Sequence, residues 1–372
     1  MRIAVVNSGS ATIKAALFEV STAGLDECAR TDRDIAASER LGEACKAVLS
    51  EVAGTGTVDA IAHRVVHGGK STQPSEITPA VEAAIRDAVR LAPLHNPEAL
   101  ECIAAARKEF PGRPMVAIFD TGFHADMPLE ARSFALPAAI NERFGLVRYG
   151  YHGLAHESLA RQLAAATGVP ITALAAVTLQ LGSGCSAAAV QDGRSIETSM
   201  GFSTFDGLVM ARRPGSLDPG AVLALTRGGL GADELQELFS RQSGLFGVGG
   251  DGDVRELLRR EAAGEAAPAA ALTLFVHRIV ATVGAYFTLL GGQGALVFGG
   301  GIGTHSAAIR ERVALGLRAW EIALDRERND AGRPGLISRS GSRPVYVFET
   351  NEERVAASAA FNCLNDRRDV HD

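Results

Sequence analysis

The chain opens with two apolar stretches separated by a short run of small residues. Arg2–Asn7 is rich in Ile and Val and ends at Ser8-Gly9-Ser10, and a second apolar stretch follows at Ile13–Val20. Branched apolar residues on both sides of a segment rich in Gly and Ser are typical of a β-hairpin. We therefore expect the protein to begin with two antiparallel strands joined by a small-residue turn.

Predicted strands and helices alternate after this hairpin. Ala60–Val66 and Met115–Phe119 have the continuous apolar pattern of buried strands. Between them, Thr78-Pro79 has the residues that cap and start a helix, and a second helix is predicted from Pro97 towards Lys108. The strand at Met115–Phe119 would carry Asp120 at its carboxyl end.

The same order of elements recurs in the second half of the chain. The pattern predicts a helix at about His156–Ala166, strands at Ala175–Leu181 and Cys185–Val190 around the turn Gly182-Ser183-Gly184, a helix near Ala232–Ser240, strands at Ala295–Phe298 and Pro344–Phe348, and a C-terminal helix. Both halves thus begin with strand, Gly-containing turn and strand. We predict an α/β protein of two similar domains that face each other across a cleft.

Length and composition narrow the classes of protein further. A chain of 372 residues exceeds the usual size of a single core. We place an N-terminal domain at 1–120, with the helix at about 354–372 packing back on it, and a second domain at 121–353. The net charge of −6 gives no general attraction for nucleic acid or an anionic membrane.

Two further features bear on the compartment. The five cysteines are scattered and lack CxxC spacing, which favours a reducing cytoplasm over a disulfide framework or a zinc site. The longest apolar stretch, about Ala269–Leu290, contains His277 and Arg278 and is bracketed by Pro268 and Gly291. Because a charge in mid-membrane is costly, we interpret this stretch as a core or interface helix.

Four segments place Arg, His or Asp beside Gly or Pro, which is typical of loops at the ends of strands. They are Arg64–Gly69, Ala92–Pro97, Phe119–His124 and Arg148–Gly153. The guanidinium groups of Arg64, inside an apolar strand, and of Arg213 suit carboxylate and phosphoryl oxygens. His95 and His152 suit hydrogen bonding to a transferring phosphoryl group. Structural ion pairs and ordinary core histidines are the alternatives at these positions.

Two turns are candidate phosphate sites. The first joins Asn7, Ser10 and Thr12 with the ammonium group of Lys14, and the second is Gly182-Ser183-Gly184. For each of them a plain hairpin turn is the alternative.

Two carboxylates follow predicted strands. Asp120 and Glu352 are oxygen ligands of the kind that Mg²⁺ prefers, since this ion takes few carboxylates together with phosphates and water. A hydrolase with paired carboxylates stays open as another interpretation.

Jointly, six motifs resemble those of the acetate and propionate kinases, within the actin, sugar kinase and Hsp70-like superfamily. They are His63–Gly69, Ala92–Pro97, Val116–Pro128, Arg148–Gly153, Glu197–Gly207 and Thr350–Glu353. The resemblance extends from Arg2 to about Ala360. It implies two domains of ribonuclease-H-like fold and direct in-line transfer of a phosphoryl group from ATP to acetate, with Mg²⁺ or Mn²⁺, giving acetyl phosphate and ADP. It also implies a homodimer joined through the C-terminal domain, to which the long apolar helix would contribute.

The resemblance further implies a role for each matching residue. Asn7 and Glu352 would hold the metal, and Asp120 would orient the metal and the nucleotide phosphates. Arg64 and Arg213 would bind the substrate carboxylate and the transferring phosphoryl group. His152 would hydrogen-bond to an equatorial oxygen of that group, and His95 would support the same charge. Nucleotide and phosphates would lie against Ser10, Thr12, Lys14, Gly182, Ser183, Gly184, Gly300, Gly301 and Gly303.

Some positions depart from the family pattern at the nucleotide side. Gln180 and Ser183 replace the His and Asn of the family's HLGNG, and Thr304-His305 replaces the Glu-Asn of its GIGENS. These changes leave open another nucleotide or pyrophosphate as the donor, or a non-catalytic module that senses nucleotide or phosphate.

The acyl side departs as well. Tyr151 and Thr204 replace the Phe and Pro that help wall the family's acetate pocket, whereas Val66 and Leu94 remain. Added hydroxyl groups would accommodate a hydroxylated or more hydrated short carboxylate, so another acid is an alternative to acetate.

Overall fold

The computed structural model describes residues 1–9, 12–35, 40–93 and 95–368, and the chain divides into two compact units. The first unit comprises Met1–Ala125 and the C-terminal segment from Asn351, and the second comprises Asp126–Thr350. The predicted site residues Ser10 and Leu94 lie outside the described residues.

The elements of the first unit, up to its last strand, are β1 (Arg2–Ser8), β2 (Thr12–Ser21), β3 (Gly24–Asp34), α1 (Leu41–Ala53), β4 (Ala60–Val65), β5 (Ser75–Glu76), α2 (Pro79–Asp87), α3 (Asn96–Glu109) and β6 (Met115–Phe119). The second unit contains α4 (Leu129–Arg132), α5 (Ala138–Phe144), α6 (Gly153–Thr167), β7 (Ala175–Leu181), β8 (Cys185–Gln191), β9 (Arg194–Thr198), α7 (Pro219–Arg227), α8 (Ala232–Arg241), α9 (Gly244–Gly249), α10 (Val254–Ala262), α11 (Ala266–Leu289), β10 (Ala295–Gly299), α12 (Gly300–His305), α13 (Ala307–Gly316), α14 (Arg326–Asp330), β11 (Gly335–Leu336) and β12 (Val345–Val347). The helix α15 (Glu352–Arg368) belongs to the first unit.

Each unit is built on one mixed sheet. In the first unit the strand order is β3-β2-β1-β4-β6-β5, and β1 is antiparallel to β2 but parallel to β4. This confirms the predicted opening hairpin. The carboxyl ends of the parallel strands β4 and β6 lie side by side, because Val65 pairs with Phe119.

The second sheet repeats the first, strand for strand. Its order is β9-β8-β7-β10-β12-β11, with antiparallel pairing from β9 to β7 and parallel pairing from β7 through β10 to β12. The recurrence predicted from the sequence is therefore confirmed at the level of topology.

The core of the first unit determines where its polar residues point. Apolar side chains of β1 and β2, among them Val6, pack with buried residues of α1 and α3 such as Leu49 and Ile103. Because successive side chains of a strand alternate between faces, Asn7 points to the opposite face, where α15 packs. A polar residue at the end of β1 thus faces the helix that begins at Glu352.

The elements that differ from the sequence pattern include β3 and α11. β3, which the pattern does not predict, consists mainly of exposed polar residues and is held as an edge strand by its ladder with β2. The long apolar helix α11 begins at Ala266, so Pro268 lies in its first turn instead of before it. Proline is tolerated there because the first N–H groups of a helix have no partner within it.

α11 is buried along one stripe and not all round. Residues at helical spacing such as Phe275, Ile279 and Val283 are fully buried, whereas His277 and Arg278 are exposed. Among the described residues it is the one helix whose length and composition would allow it to cross a membrane.

Candidate active site

In the first unit, Arg64 and Asp120 form a two-pronged ion pair at the ends of β4 and β6. Arg64 Nε donates to Asp120 Oδ1 at 3.1 Å, and Nη2 donates to Oδ2 at 2.5 Å. The Asp120 side chain is 1% exposed and that of Arg64 is 16% exposed. A planar guanidinium fork on a carboxylate fixes the orientation of both groups.

Asn7 joins this pair to the start of α15. Arg64 Nη1 donates to Asn7 Oδ1 at 3.0 Å. The Asn7 amide nitrogen donates to Glu352 Oε2 and to Glu353 Oε1, both at 3.0 Å. The structure therefore brings the predicted residues Asn7, Arg64, Asp120 and Glu352 together and adds Glu353, which the sequence did not single out.

Burial and neighbouring charges shift the pKa values in this cluster. Burial raises the pKa of Glu352, and the Asp120 and Glu353 carboxylates raise it further against the opposing charge of Arg64. Burial opposes the charge of Arg64, but Asp120 and Glu352 outweigh it and the pKa of Arg64 is raised. Glu353 is also desolvated, yet hydrogen bonds from Asn7 and Arg30 lower its pKa.

The cluster suits one further cation. Three carboxylates, those of Asp120, Glu352 and Glu353, face two guanidinium groups, those of Arg64 and Arg30. The oxygen donors are of the hard type that Mg²⁺ prefers. Within the described part of the chain, no group of three or more His, Cys, Asp or Glu side chains forms a ready-made metal cage. A metal here would thus take few protein ligands, as Mg²⁺ does beside phosphates.

The loops after β4 and before α3 are tied together by Asn96. This buried amide donates to His67 O at 2.7 Å and accepts from His67 N at 3.2 Å. The segments that carry Val66, which is buried, and His95 are consequently held side by side. His95 Nδ1 lies 3.8 Å from Glu98 Oε2, and the described contacts do not join it to Arg64.

The residues on either side of the first predicted phosphate turn are joined by a backbone hydrogen bond. Gly9 N donates to Thr12 O at 2.8 Å. Lys14 is exposed and lies opposite Asn7 in the β1–β2 ladder, so the two side chains share one face of the sheet. A phosphate-binding role for this turn stays a prediction.

In the second unit, His152 and Arg213 meet at the turn Gly182-Ser183-Gly184. A Cβ atom placed on Gly184 would lie 3.1 Å from His152 Cε1, 3.2 Å from its Nε2 and 3.9 Å from Arg213 Nη1. Ala211 N donates to Ser183 O at 3.1 Å, which fixes the Arg213 loop beside the turn. A side chain at 184 would crowd the imidazole, so the glycine leaves room for the ring.

Arg213 is held among neutral groups. Its Nη1 donates to Thr204 O at 3.3 Å. Burial lowers the pKa of the Arg213 guanidinium. The described contacts place no carboxylate beside this half-buried guanidinium, which favours an anionic ligand, since an anion would offset the cost of desolvation.

His152 has a backbone conformation that side chains other than glycine rarely adopt. Its φ of 58° lies in the left-handed region, directly before α6. Its Nδ1 is 2.9 Å from Ser186 Oγ. Backbone strain of this kind is concentrated at functional sites, where the surrounding structure holds it in place.

The hydroxyl group of Tyr151, one of the two predicted additions to the acyl pocket, already has a partner. Tyr151 is 1% exposed, and its hydroxyl donates to Phe202 O at 2.9 Å. A hydroxyl that donates to the backbone presents less polarity to a neighbouring ligand than a free one does.

A cavity of about 920 Å³ lies beside the same turn. Of the predicted nucleotide residues, Gly182, Ser183 and Gly301 line it, together with His305. Gly300 and Gly303 instead pack against the backbone and core, since a Cβ at Gly300 would lie 2.5 Å from Leu181 O.

The cavity also has walls that the sequence did not single out: Arg212, Asp251, Asp253 and Arg255. The sequence feature that could have indicated these charged walls is the glycine-rich acidic run Gly249–Asp253, because such runs form exposed turns that carry charge.

The departures from the family pattern have distinct surroundings. Thr304 is buried and donates to Phe348 O at 3.2 Å, so it belongs to the packing of α12. Gln180 Oε1 is buried with no hydrogen-bond partner among the described atoms.

Comparison with known proteins identifies consistent relatives. A model of the acetokinase family matches residues 42–358. The chain is 45% identical over 312 residues to the acetate kinase of Leifsonia xyli subsp. xyli, covering 82% of this chain and 79% of the relative. It is 38% identical over 383 residues to the acetate kinase of Micrococcus luteus, covering 96% and 98%.

Solved structures agree with the sequence relatives. The acetate kinase of Porphyromonas gingivalis matches with a TM-score of 0.86 and 31% identity, covering 98% of this chain and 99% of that one. The propionate kinase of Francisella tularensis subsp. tularensis matches with a TM-score of 0.88 and 32% identity, covering 97% and 99%. The predicted fold class, two similar α/β domains of the actin and sugar kinase type, is confirmed.

Proposed function

We propose how the residues of this chain divide the work of phosphoryl transfer, on the premise that it belongs to the acetokinase family and is a kinase that phosphorylates the carboxyl group of acetate. The family uses ATP, and the products are acetyl phosphate and ADP. In the first unit Arg64 binds the carboxylate and Asp120 orients the phosphates. In the second unit His152 and Arg213 bind the transferring phosphoryl group.

Positioning of the reactants and stabilisation of the developing charge account for the catalysis of this reaction. The attacking oxygen of acetate is already an anion, so no general base is needed. The Arg64 guanidinium has more N–H groups than the three that donate to Asp120 and Asn7, and those left over suit an oxygen anion. Fixed cationic donors stabilise the charge that spreads over the phosphoryl oxygens during in-line transfer.

We propose that the metal is Mg²⁺, held by Asn7 and Glu352 with Asp120 nearby. When bound, the ion would neutralise phosphate charge and orient the donor phosphates. The composition of the cluster supports this assignment, because three carboxylates face two guanidinium groups and leave an excess of negative charge. His95 would support the phosphoryl charge, and Val66 and Tyr151 would help to form the acyl pocket.

One observation carries the proposal. Residues far apart in the chain assemble around Arg64, since the Asn7 amide is bonded to a carboxylate 345 positions away. A second observation supports it in the other unit, where His152 and Arg213 converge on Gly184. They place cationic and hydrogen-bonding groups beside a cavity that Gly182 and Ser183 of the predicted phosphate turn line.

The experiment is a hydroxamate assay with purified protein, acetate, ATP and Mg²⁺. Acetyl phosphate reacts with hydroxylamine, so acetyl hydroxamate should accumulate in step with ADP. The Arg64→Gln variant is the matched negative control. Absence of hydroxamate from the unaltered protein, with every donor and acid tested, contradicts the proposal.

A panel that crosses donors with acids tests the finer assignment. ATP, GTP and pyrophosphate are each combined with acetate, propionate and glycolate, and the highest kcat/KM is expected for ATP with acetate. Nucleotide binding by calorimetry without turnover of any pair would instead favour a sensing module.

We also propose a cytoplasmic homodimer joined through the second unit. The five cysteines are free thiols, which suits a reducing compartment. α11 buries only one stripe and leaves Leu289 53% exposed. Light scattering of the purified protein should give twice the mass of 38.8 kDa.

A further inference from the structure

A chain of buried hydrogen bonds runs inward from His152. His152 Nδ1 lies 2.9 Å from Ser186 Oγ, and the same oxygen lies 2.8 Å from His156 Nε2. On the far side of that ring, His156 Nδ1 lies 2.8 Å from Thr178 Oγ1. Thr178 Oγ1 in turn donates to Ala188 O at 3.4 Å.

The surroundings isolate this chain from water. His156, Thr178 and Ser186 are each fully buried. They come from α6, β7 and β8, and Gln180 pairs with Ser186 in the ladder that joins the two strands. In a water-free site, hydrogen bonds between side chains are strengthened and their direction becomes specific.

The carbonyl at the inner end gives the chain a direction. A backbone carbonyl only accepts, so the Thr178 hydroxyl proton goes to Ala188 O and Thr178 Oγ1 accepts from His156 Nδ1–H. Neutral His156 then has a bare Nε2, which accepts from the Ser186 hydroxyl. Having donated its one proton, Ser186 Oγ accepts from His152 Nδ1–H.

We propose that Thr178, His156 and Ser186 are positioning residues that commit the neutral His152 ring to the Nδ1–H tautomer and turn its Nε2 towards the Gly184 turn. His152 then hydrogen-bonds to a phosphoryl oxygen only after Nε2 takes a proton, so the ring donates as a cation. This inference rests on the proposed function, because it concerns how His152 meets the transferring group.

The geometry at the outer end agrees with this orientation. A Cβ on Gly184 would lie 3.2 Å from His152 Nε2, so this nitrogen faces the turn, whereas Nδ1 faces Ser186. Among the described ionisable groups, His156 shares Ser186 Oγ with the ring, and Arg213 from the neighbouring loop meets it at Gly184. The strained φ of His152 shows that the fold holds this residue against its backbone preference.

The sequence alone did not reveal these positioning residues. His156 lies one helical turn after His152, and its amide N–H donates to His152 O at 3.0 Å, so the pair looks like ordinary helix spacing. Ser186 and Thr178 are small hydroxyl residues inside apolar strands, and the strand pattern does not mark them as functional.

The test combines kinetics with imidazole ¹⁵N NMR. At about pH 8.5, above the ordinary imidazole pKa, the unaltered protein should show the His152 proton on Nδ1. Ser186→Ala should abolish this preference and lower kcat by about 10- to 100-fold, with KM for acetate within about threefold. Thr178→Val should act in the same direction, and Thr178→Ser should restore both the tautomer and kcat.

Thr198→Val is the matched control. The Thr198 hydroxyl is also buried and also donates to a β8 carbonyl, that of Ala187 at 3.1 Å, but the described contacts do not join it to either histidine. Its kcat and the His152 tautomer should be unchanged. A His152 proton on Nε2 in the unaltered protein, or a Ser186→Ala variant with unchanged kcat and tautomer, overturns the inference. An unaltered protein that forms no hydroxamate would instead contradict the proposed function, while the NMR readout would still decide the tautomer.

Discussion

Arg30 Nη1 lies 2.9 Å from Glu353 Oε2, which links an exposed edge strand to the first turn of the C-terminal helix. The other Glu353 oxygen accepts from the Asn7 amide at 3.0 Å. Arg30 therefore acts on the candidate metal site through Glu353 and Asn7, although it comes from the most polar strand of the sheet.

Replacing Arg30 should change the affinity of the metal site without destroying the fold. In Arg30→Met, the three carboxylates of the cluster face one guanidinium group instead of two, so we expect a three- to tenfold fall in the Mg²⁺ concentration for half-maximal activity, in line with about 1 kcal/mol for a partly exposed pair. The measurement is a Mg²⁺ titration of the hydroxamate rate. Arg354→Met is the control, because Arg354 donates to Leu25 O of the same strand without touching Glu353. Equal titrations for the two variants would show that Arg30 has no such role.

The role of Arg64 is separable from its structural pairing. Arg64→Gln removes the guanidinium from the buried Asp120 carboxylate, which should cost about 3–5 kcal/mol of unfolding free energy. The double variant Arg64→Gln with Asp120→Asn removes both charges, so urea denaturation should show most of the stability restored. Its activity should stay at least about 100-fold below that of the unaltered protein, because the cationic donor and the Asp120 carboxylate are both missing. Recovery of activity together with stability would mean that Arg64 is only structural.

Acid should destabilise the first unit through two buried histidines. Burial lowers the pKa of His63 from 6.5 to about 3 and that of His67 from 6.5 to about 4. Between these values and 6.5 the unfolded chain binds protons that the folded chain does not. Stability should therefore be complete above pH 6.5 and fall as the pH falls, by about 1.4 kcal/mol per pH unit for each histidine.

A series of urea denaturations between neutral and acid pH measures this slope. His63→Leu should remove the contribution of one of the two protons to this slope. Both ring nitrogens of His63 are buried without a hydrogen-bond partner among the described atoms. The exposed His277→Gln is the matched control and should leave the slope unchanged. A His63→Leu variant as acid-sensitive as the unaltered protein would assign the effect elsewhere.

Arg310 should stabilise the wall of the cavity beside the turn Gly182-Ser183-Gly184. It is 1% exposed and donates to Gly303 O at 2.9 Å, Thr304 O at 2.7 Å and Asn329 Oδ1 at 2.8 Å. Arg310→Met would leave these buried acceptors without their donor, at an expected cost of at least about 2 kcal/mol. Arg312→Met, on the same helix, breaks a half-exposed pair with Glu261 and should cost less than about 1 kcal/mol. Comparable losses in thermal unfolding of the two variants would contradict this assignment.

Local patterns in the sequence were sufficient for most of the strands near the site. Met115–Phe119 and Ala175–Leu181 occur as predicted, because short, mainly apolar runs bounded by turn residues are typical of buried strands. The edge strand β3 escaped prediction because its residues are polar and exposed, and its conformation depends on the ladder that β2 provides.

The sequence by itself determined the apolar periodicity, the repeated order of strands and turns, and the identity of the polar residues beside Gly and Pro. Only the tertiary structure decided which of those polar groups share hydrogen bonds. Asn7, Arg64 and Glu352 meet because parallel pairing brings β1 beside β4, and α15 packs on the face to which Asn7 points. His152 Nδ1 lies within hydrogen-bonding distance of the Ser186 hydroxyl, and His156 links that hydroxyl to the hydroxyl of Thr178 on a second strand. Such contacts join residues far apart in the sequence, and no local pattern encodes them, because side-chain direction at a distance is set by packing and not by the neighbouring residues.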